Sequence, residues 1–292
     1  MRTLITGATG LVGQHLVHAL ANKADVVALS RNPDRAKELL GNHAIVRTGD
    51  LAVPHTLGDA FTDIDSLFLF CVPETASEVV RRSLEAGVQH IVVLSAAAVT
   101  LGFDYGHHST VEAAVKDSGL AWTMVRPGEF MANMLPIWAP MIRKDRRVRY
   151  PFADDIVGAP IHEADIADIA AISLLDSSKH AGQEYTITGP RAYTIREQIT
   201  AISSALGEEI AFEEVTREQA RVILHELGGQ AAETADLLLG FTDYDGAAPD
   251  DGEYSEQDYS ELMKPSPTYR DLMGHDGRDY EQWARDHRND FR

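Results

Sequence analysis

A doubly wound parallel α/β sheet with a smaller, mostly helical C-terminal lobe is the fold predicted by this 292-residue sequence. Three observations carry the prediction. Short continuous apolar runs alternate with helical stretches over the first 125 residues, the pattern of strands covered on both faces. A glycine-rich turn separates the first run from the first helix. Beyond Pro127 the alternation loosens and helical patterns dominate.

The elements follow in order. Thr3-Leu4-Ile5 is the first run, and a helical pattern spans Leu11 to Ala21. Asp25-Val26-Val27-Ala28-Leu29 is the second run. Asn32-Pro33 then opens a helix, with Asn as its cap and Pro at its first position. Ala44-Ile45-Val46 is the third run, and Leu67-Phe68-Leu69-Phe70 is the fourth. A helix from about Glu74 to Glu85 precedes the fifth run, Ile91-Val92-Val93-Leu94. Residues 107–118 read as a helix stopped by Ser118-Gly119, and Ala121 to Val125 is the sixth run. Right-handed crossovers make such a unit doubly wound. Residues 131–160 carry several prolines and the basic cluster Arg143-Lys144-Asp145-Arg146-Arg147, and show no clear period. Regular structure resumes with a helix at 164–175 and a strand at Glu184–Thr188. Helices at 194–206, 217–227 and 230–239 follow, then an acidic Gly/Asp/Tyr-rich stretch at 242–260 that reads as loop or disorder. A last amphipathic helix near 278–289 carries Tyr280 and Trp283, with Phe291 just beyond. Residues 1–130 plus about 156–190 should form the sheet domain. Residues 131–155 plus 191–292 should form the lobe.

Composition narrows the function. The single cysteine excludes a disulfide scaffold and a cysteine-based zinc site, and scattered histidines suggest no metal centre. The net charge of −19 argues against nucleic acid and against an anionic membrane surface. Residues 207–292 hold 22 acidic against 8 basic side chains, a net of −14, leaving −5 for the rest. No leader segment and no apolar run of membrane-spanning length is apparent. A cytoplasmic protein is expected, either monomer or homodimer.

The turn reads Thr6-Gly7-Ala8-Thr9-Gly10-Leu11-Val12-Gly13. Glycines here permit a tight turn, close approach to a pyrophosphate and close packing of helix on strand. The helix N-terminus adds free N–H groups and partial positive charge. Gly7, Thr9, Gly10, Leu11, Val12 and Gly13 are therefore candidates for dinucleotide binding. The second strand ends at Leu29-Ser30-Arg31-Asn32, without the carboxylate that an NAD ribose prefers. Arg31 can pair a 2′-phosphate through its planar fork, with Arg35 assisting beside Ser30. NADP(H) is thus expected over NAD(H). Asp50 and Leu51 should lie near the adenine, and Cys71, Val72 and Pro73 near the inner ribose and pyrophosphate. Cys71 reads as a packing residue, since nothing nearby would lower its pKa.

These motifs, with Gly49-Asp50 and Val93-Leu94-Ser95, resemble the atypical short-chain dehydrogenase/reductase superfamily of Rossmann proteins. His108-x-x-x-Glu112, Ser118-Gly119, Arg126-Pro127-Gly128-x-Phe130-x-x-Asn133, Asp165-Ile166-Ala167 and Thr188-Gly189-Pro190 are similar to its NmrA-like branch. The likeness covers most of residues 1–205 and, weakly, the C-terminal helices. It implies NAD(P) on the sheet domain and a small apolar substrate under the C-terminal lobe. Some members reduce quinones or other carbonyl and alkene compounds, and others are non-catalytic nucleotide-sensing regulators. A nucleotide-retaining epimerase or isomerase is a further alternative, against which the missing tyrosine base counts.

The superfamily's Tyr-x-x-x-Lys pair is absent, and the matching positions are His108 and Glu112. At i and i+4 these can touch, so that Glu112 would favour imidazolium and make His108 a proton donor. Ser95 matches the usual serine position. The alternatives are a solvated helix pair and local backbone bonding. Arg126, Pro127 and Gly128 end the sixth strand at the carboxyl edge, where ligands bind in open sheets. Phe130, Asn133, Met134, Trp138 and His162 are candidate substrate contacts, with core packing as the alternative reading.

Overall fold

The computed structural model describes residues 1–242, 260–261 and 264–292. Along the chain it forms β1 (Arg2–Ile5), α1 (Leu11–Leu20), β2 (Asp25–Ser30), α2 (Pro33–Leu40), β3 (Ile45–Thr48) and β4 (Ser66–Phe70). Next come α3 (Ala76–Glu85), β5 (His90–Leu94), α4 (Ala97–Leu101), α5 (His108–Lys116) and β6 (Ala121–Pro127). They are followed by α6 (Leu135–Asp145), β7 (Arg147–Tyr150), β8 (Ile156–Gly158), α7 (Glu163–Leu175), α8 (Ser177–His180) and β9 (Gln183–Ile187). The last are β10 (Tyr193–Thr194), α9 (Ile195–Leu206), β11 (Ala211–Glu214), α10 (Arg217–Leu227), α11 (Gly229–Leu238), α12 (Thr268–Met273) and α13 (Tyr280–Asp286).

The chain divides into two compact units. The first comprises Met1–Pro127, Glu163–Ile187 and Thr268–His275. Its seven strands run in the order β3-β2-β1-β4-β5-β6-β9, and every pairing is parallel. The order reverses between β1 and β4, which opens a crevice at the carboxyl ends of these two strands. Side chains alternate across the strands. Leu4, Leu67, Leu69, Ile91 and Val93 face α3 and α5, through Val79, Val80, Val111 and Val115. The opposite face is covered by α1 and α7, which pack on each other.

The second unit comprises Gly128–His162, Thr188–Pro267 and Asp276–Arg292. β8 pairs with β10 antiparallel, and β7 with β11 parallel. Its core joins Trp138, Ile142, Tyr193, Ile202, Trp283 and Phe291. α9 and α10 begin with reciprocal capping boxes, Thr194 with Glu197 and Thr216 with Gln219.

Several sequence expectations are corrected. Residues 131–160 are more regular than their prolines suggest. Pro136 sits in the first turn of α6, where no donor is needed, but Pro140 lies inside the helix. An interior proline costs about 3 kcal/mol. Burial of Ile137, Trp138, Met141 and Ile142 on the same helix outweighs it. The helix expected at 107–118 ends at Lys116 and is preceded by the short α4, which is too brief to announce itself by periodicity. The helix expected at 278–289 is shorter, Tyr280–Asp286, and continues as a 3-10 turn at Arg288–Phe291. Asp165 lies inside the first turn of α7. The strand read at Ala44–Val46 is Ile45–Thr48. The acidic stretch at 242–260 lies, apart from its two ends, outside the described residues.

Candidate functional site

The glycine turn forms as its sequence requires. Gly7 adopts φ +63°, its carbonyl accepts from Gly10 N–H at 2.9 Å, and Gly13 lies buried in the first turn of α1. Thr6 ties the end of β1 to β4: its hydroxyl donates to Phe68 O at 2.9 Å and accepts from Phe70 N–H at 2.7 Å. Thr9 is fixed by Gln14, whose side-chain amide donates to its carbonyl at 3.0 Å. No side chain caps α1 and no acid lies in its first turn. The free N–H groups and the positive end of the dipole are thus left for an anion. Leu11 is 47% exposed and Phe70 48% exposed, although both are large apolar groups beside this turn. Val12 is buried and packs into the unit.

The end of β2 offers the matching cation. Ser30 Oγ donates to Asn32 O at 3.0 Å and accepts from Asn32 N–H at 3.1 Å, which closes the turn. Asn32 caps α2 by accepting from Arg35 N–H at 3.0 Å. Arg31 and Arg35 are exposed, and among the described residues neither guanidinium has a hydrogen bond or ion pair. After β3, Asp50 turns its carboxylate onto its own chain, accepting from Ala52 N–H at 3.0 Å. A shallow apolar groove of about 160 Å³ is lined by Leu51, Val72, Thr75, Val79 and Val111.

Cys71 is buried, and its thiol donates to Leu94 O at 3.2 Å. Burial first, then the charges of Glu112 and Asp104, push it up to about 12. It is a packing residue, inert as a nucleophile. Pro73 begins the 3-10 turn that leads into α3.

The catalytic expectations fare differently. His108 does not engage Glu112. Its Nδ1 stands 2.9 Å from Asp104 Oδ1. Asp104 also accepts from the N–H groups of Gly106, His108 and Ser109 and from the Ser109 hydroxyl. Burial lowers the His108 pKa, and this outweighs the opposing pull of Asp104. The imidazole is therefore neutral at pH 7. A carboxylate can only accept here, so Nδ1 carries the proton and Nε2 is an acceptor. The expected hydrogen-bonded pair of His108 and Glu112 does not form, because Glu112 bonds Ser95, Lys116 and Arg126 instead.

Glu112 is the centre of a buried network instead. Arg126 meets it through both forks, Nε to Oε1 at 2.8 Å and Nη2 to Oε2 at 2.6 Å. The Ser95 hydroxyl donates to Oε1 at 2.6 Å, and Lys116 reaches Oε2 at 3.2 Å. Glu184 on β9 closes the network through Arg126 at 2.6 Å and Lys116 at 2.7 Å. Burial pushes the Glu112 carboxyl up, but Arg126 and Ser95 overcome it and hold it below its ordinary value. Lys116 is half-buried and doubly paired. The Arg126 charge, expected to face the cofactor, is committed to these two carboxylates.

In the second unit Gly128 follows directly on β6. Phe130 is half-buried and bridges Ile161. Asn133 is exposed and Met134 buried. Trp138 is fully enclosed against Tyr150, so it packs the core and walls no open pocket. His162 is buried, with Nε2 3.4 Å from Asp286 Oδ2. Sequence reasoning missed Asp104 and Glu184. Asp104 had a usable signal, an acid four residues before a helix-opening histidine.

A parallel sheet whose crevice lies beside an uncapped glycine turn defines a dinucleotide-binding protein. Comparison with known proteins agrees. Residues 7–177 match a family described as NAD(P)H-binding. The chain is 32% identical, over 99% of its length and 98% of the other's, to a (4-alkanoyl-5-oxo-2,5-dihydrofuran-3-yl)methyl phosphate reductase of Streptomyces griseus. It is 30% identical, over 77% of its length and 81% of the other's, to an NAD(P)H azoreductase of Xenophilus azovorans. An NADPH-dependent quinone oxidoreductase of Escherichia coli superposes with a TM-score of 0.74 at 25% identity, covering 97% of this chain and 98% of that one. The chain belongs to the NAD(P)H-binding family and is an NAD(P)H-dependent reductase. No described helix is long and apolar enough to cross a membrane.

Proposed function

We propose that this protein is an NADP(H)-dependent reductase that passes hydride to a small apolar acceptor of the quinone or conjugated-carbonyl class. The observation that supports it best is the pair of unengaged guanidiniums at Arg31 and Arg35, at the end of a strand that carries no carboxylate. When bound, the cofactor supplies the hydride. The chain supplies the rest. The α1 N-terminus, from Leu11 to Gly13, would hold the pyrophosphate, Leu51 and Val72 would lie by the adenine, and Arg31 would hold the 2′-phosphate through charge-assisted bonds. Ser95, just beyond β5, is held by its hydroxyl's bond to Glu112 Oε1 at 2.6 Å. The relatives named for azo compounds, quinones and an unsaturated lactone support a conjugated acceptor, for which positioning supplies much of the rate.

Consumption of NADPH with a panel of quinones and enones tests the reading. Steady turnover is expected. Tight NADPH binding with no acceptor reduced would favour a nucleotide-sensing regulator instead. Arg31→Ala should weaken NADPH binding by about 10- to 100-fold, the worth of a lost charge-assisted contact, and change NADH binding less than about 2-fold. Equal losses for both nucleotides would overturn the NADP(H) preference. A second variant checks the neutral histidine: His108→Ala should leave the pH dependence of turnover near neutrality unchanged, because a group already uncharged there contributes no titration.

A further inference from the structure

Asp104 and His108 form a fixed pair at the carboxyl edge of the sheet. Both belong to the sheet unit and lie in the connection between β5 and β6. A helix that joins parallel strands runs against them, so α5, which His108 opens, begins at that edge. The Asp104 side chain is 1% exposed. Its Oδ1 accepts from His108 N–H and from His108 Nδ1, each at 2.9 Å. Its Oδ2 accepts from the N–H groups of Gly106 and Ser109 and from the Ser109 hydroxyl. Burial pushes this carboxyl up, but the bonds from Ser109 and His108 overcome it and hold it well below its ordinary value. An ionised Asp104 thus fixes both the ring and the site of its proton.

One atom of the ring stays open. Among the described residues Nε2 of His108 has no hydrogen bond, and it is not enclosed: the side chain is 19% exposed. The neighbouring His107 meets the ring edge-on, with centroids 4.7 Å apart, and forms no bond to it. Lys116 and Arg126, the cations of this part of the unit, are committed to Glu112 and Glu184. The pair also borders the crevice. Val111, one turn beyond His108 on the same side of α5, lines the apolar groove together with Phe70 and Val72 from the end of β4. Cys71, between those two, feels the Asp104 charge. Ligands of open α/β sheets gather at this edge.

We infer that Nε2 of His108 accepts a hydrogen bond from a hydroxyl of the acceptor, so that the preferred substrate is a quinone or enone carrying an alcohol beside its conjugated system. This rests on the reductase reading above. The reason is hydrogen-bond polarity. A neutral imidazole whose Nδ1–H is committed to a carboxylate can only accept at Nε2. The oxygens of a plain quinone or of an ether also only accept, so they would meet Nε2 lone pair against lone pair. An alcohol supplies the missing hydrogen. The conjugated system then receives hydride, and the alcohol fixes which way round the acceptor lies. A site built to bond a hydroxyl rejects analogues that lack one, because its own polar group is left unpaired. The ribose hydroxyls of the cofactor share this donor chemistry, and the test below separates the two sources.

Hydroxymethyl naphthoquinone and its methyl ether are the probes, since the ether keeps the quinone and loses only the donor. At saturating NADPH, wild type should favour the alcohol in kcat/KM by about 10- to 100-fold. His108→Leu should abolish the preference through loss on the alcohol alone, with NADPH affinity held. Asp104→Asn is the second variant. Its amide can donate to Nδ1, which moves the ring proton to Nε2 and turns the acceptor into a donor. The preference should then vanish although the ring remains, an outcome that loss of packing at His108 does not produce. Equal kcat/KM for the two quinones in wild type would overturn the inference, as would a preference that survives His108→Leu. If that variant keeps the preference and binds NADPH about 10-fold more weakly, the hydroxyl belongs to the cofactor's ribose and the inference is overturned equally. If wild type reduces neither probe nor any other quinone or enone, the reductase reading falls and this inference with it.

Discussion

Gly13→Ala is expected to abolish cofactor binding and to unfold the protein more readily than any other single-methyl addition in the turn. The added Cβ would collide with the carbonyl oxygen of Gly7 and stand 2.7 and 2.9 Å from the Cα and C atoms of Ala8. All three are backbone atoms, so no side chain can swing aside. The Gly7 carbonyl is also the acceptor that closes the turn on Gly10 N–H. Relief must come from opening the turn or lifting α1 off β1, and α1 packs on α7 and buries Leu16, Val17 and Leu20. The cost should be about 3 kcal/mol, the upper range for overpacking against a rigid neighbour. Urea unfolding reads that number, and fluorescence titration should show NADPH affinity reduced by more than about 100-fold. Gly10→Ala provides the contrast. Its Cβ meets one atom, Gly7 O at 3.2 Å, and about 1 kcal/mol is expected. If Gly13→Ala bound NADPH like wild type, the turn would not be the pyrophosphate site.

The parallel sheet was legible because its determinants are local. Val26 to Leu29, Leu67 to Leu69 and Ile91 to Val93 are continuous apolar runs, and burial on both faces leaves no room for alternation. The glycine turn was legible for the same reason, since each glycine answers to a constraint within the turn itself. The α6 helix was not. Pro136 and Pro140 are breakers by local rules, and only the burial of Trp138 and Ile142 within the second unit overrides them. α12 was missed because Thr268–Met273 is too short to display a period.

The candidate site divides along the same line. Arg31 stands out in sequence because what matters is the residue type at one strand end. Glu112 misled, because helix spacing allows His108 as its partner and says nothing of Arg126, 14 residues on, or Glu184 on β9. An i, i+4 pair is worth a few tenths of a kcal/mol, and a bidentate guanidinium in a buried setting is worth several times more. The larger effect turned Glu112 inward and left His108 to Asp104.

The second large effect is expected at that inward pair. Glu112→Gln should destabilise the protein by about 3 kcal/mol, and Arg126→Met by a similar amount, because each leaves a partner buried without its counter-charge. Arg126 is 8% exposed as a side chain and Glu112 3%, so water can repair neither loss. Glu184 softens the first variant by holding Nη1 of Arg126, which puts it at the lower end of the usual range. The double variant Glu112→Leu, Arg126→Met should lose less than the two singles together, since no charge is then stranded. Acid separates this account from simple loss of packing. The folded Glu112 carboxyl titrates below its ordinary value of 4.5, so the pair's contribution is complete above that value and lost as pH falls through the folded pKa. The stability gap between wild type and Glu112→Gln should therefore be constant from about pH 6 to 8 and close as the pH drops below about 4. Equal gaps at both ends, or singles that add without coupling in the double variant, would show that Glu112 acts through its shape. Loss of the charge should also release the Ser95 hydroxyl from Oε1 at the end of β5, so quinone turnover in Glu112→Gln should fall through kcat while NADPH affinity holds.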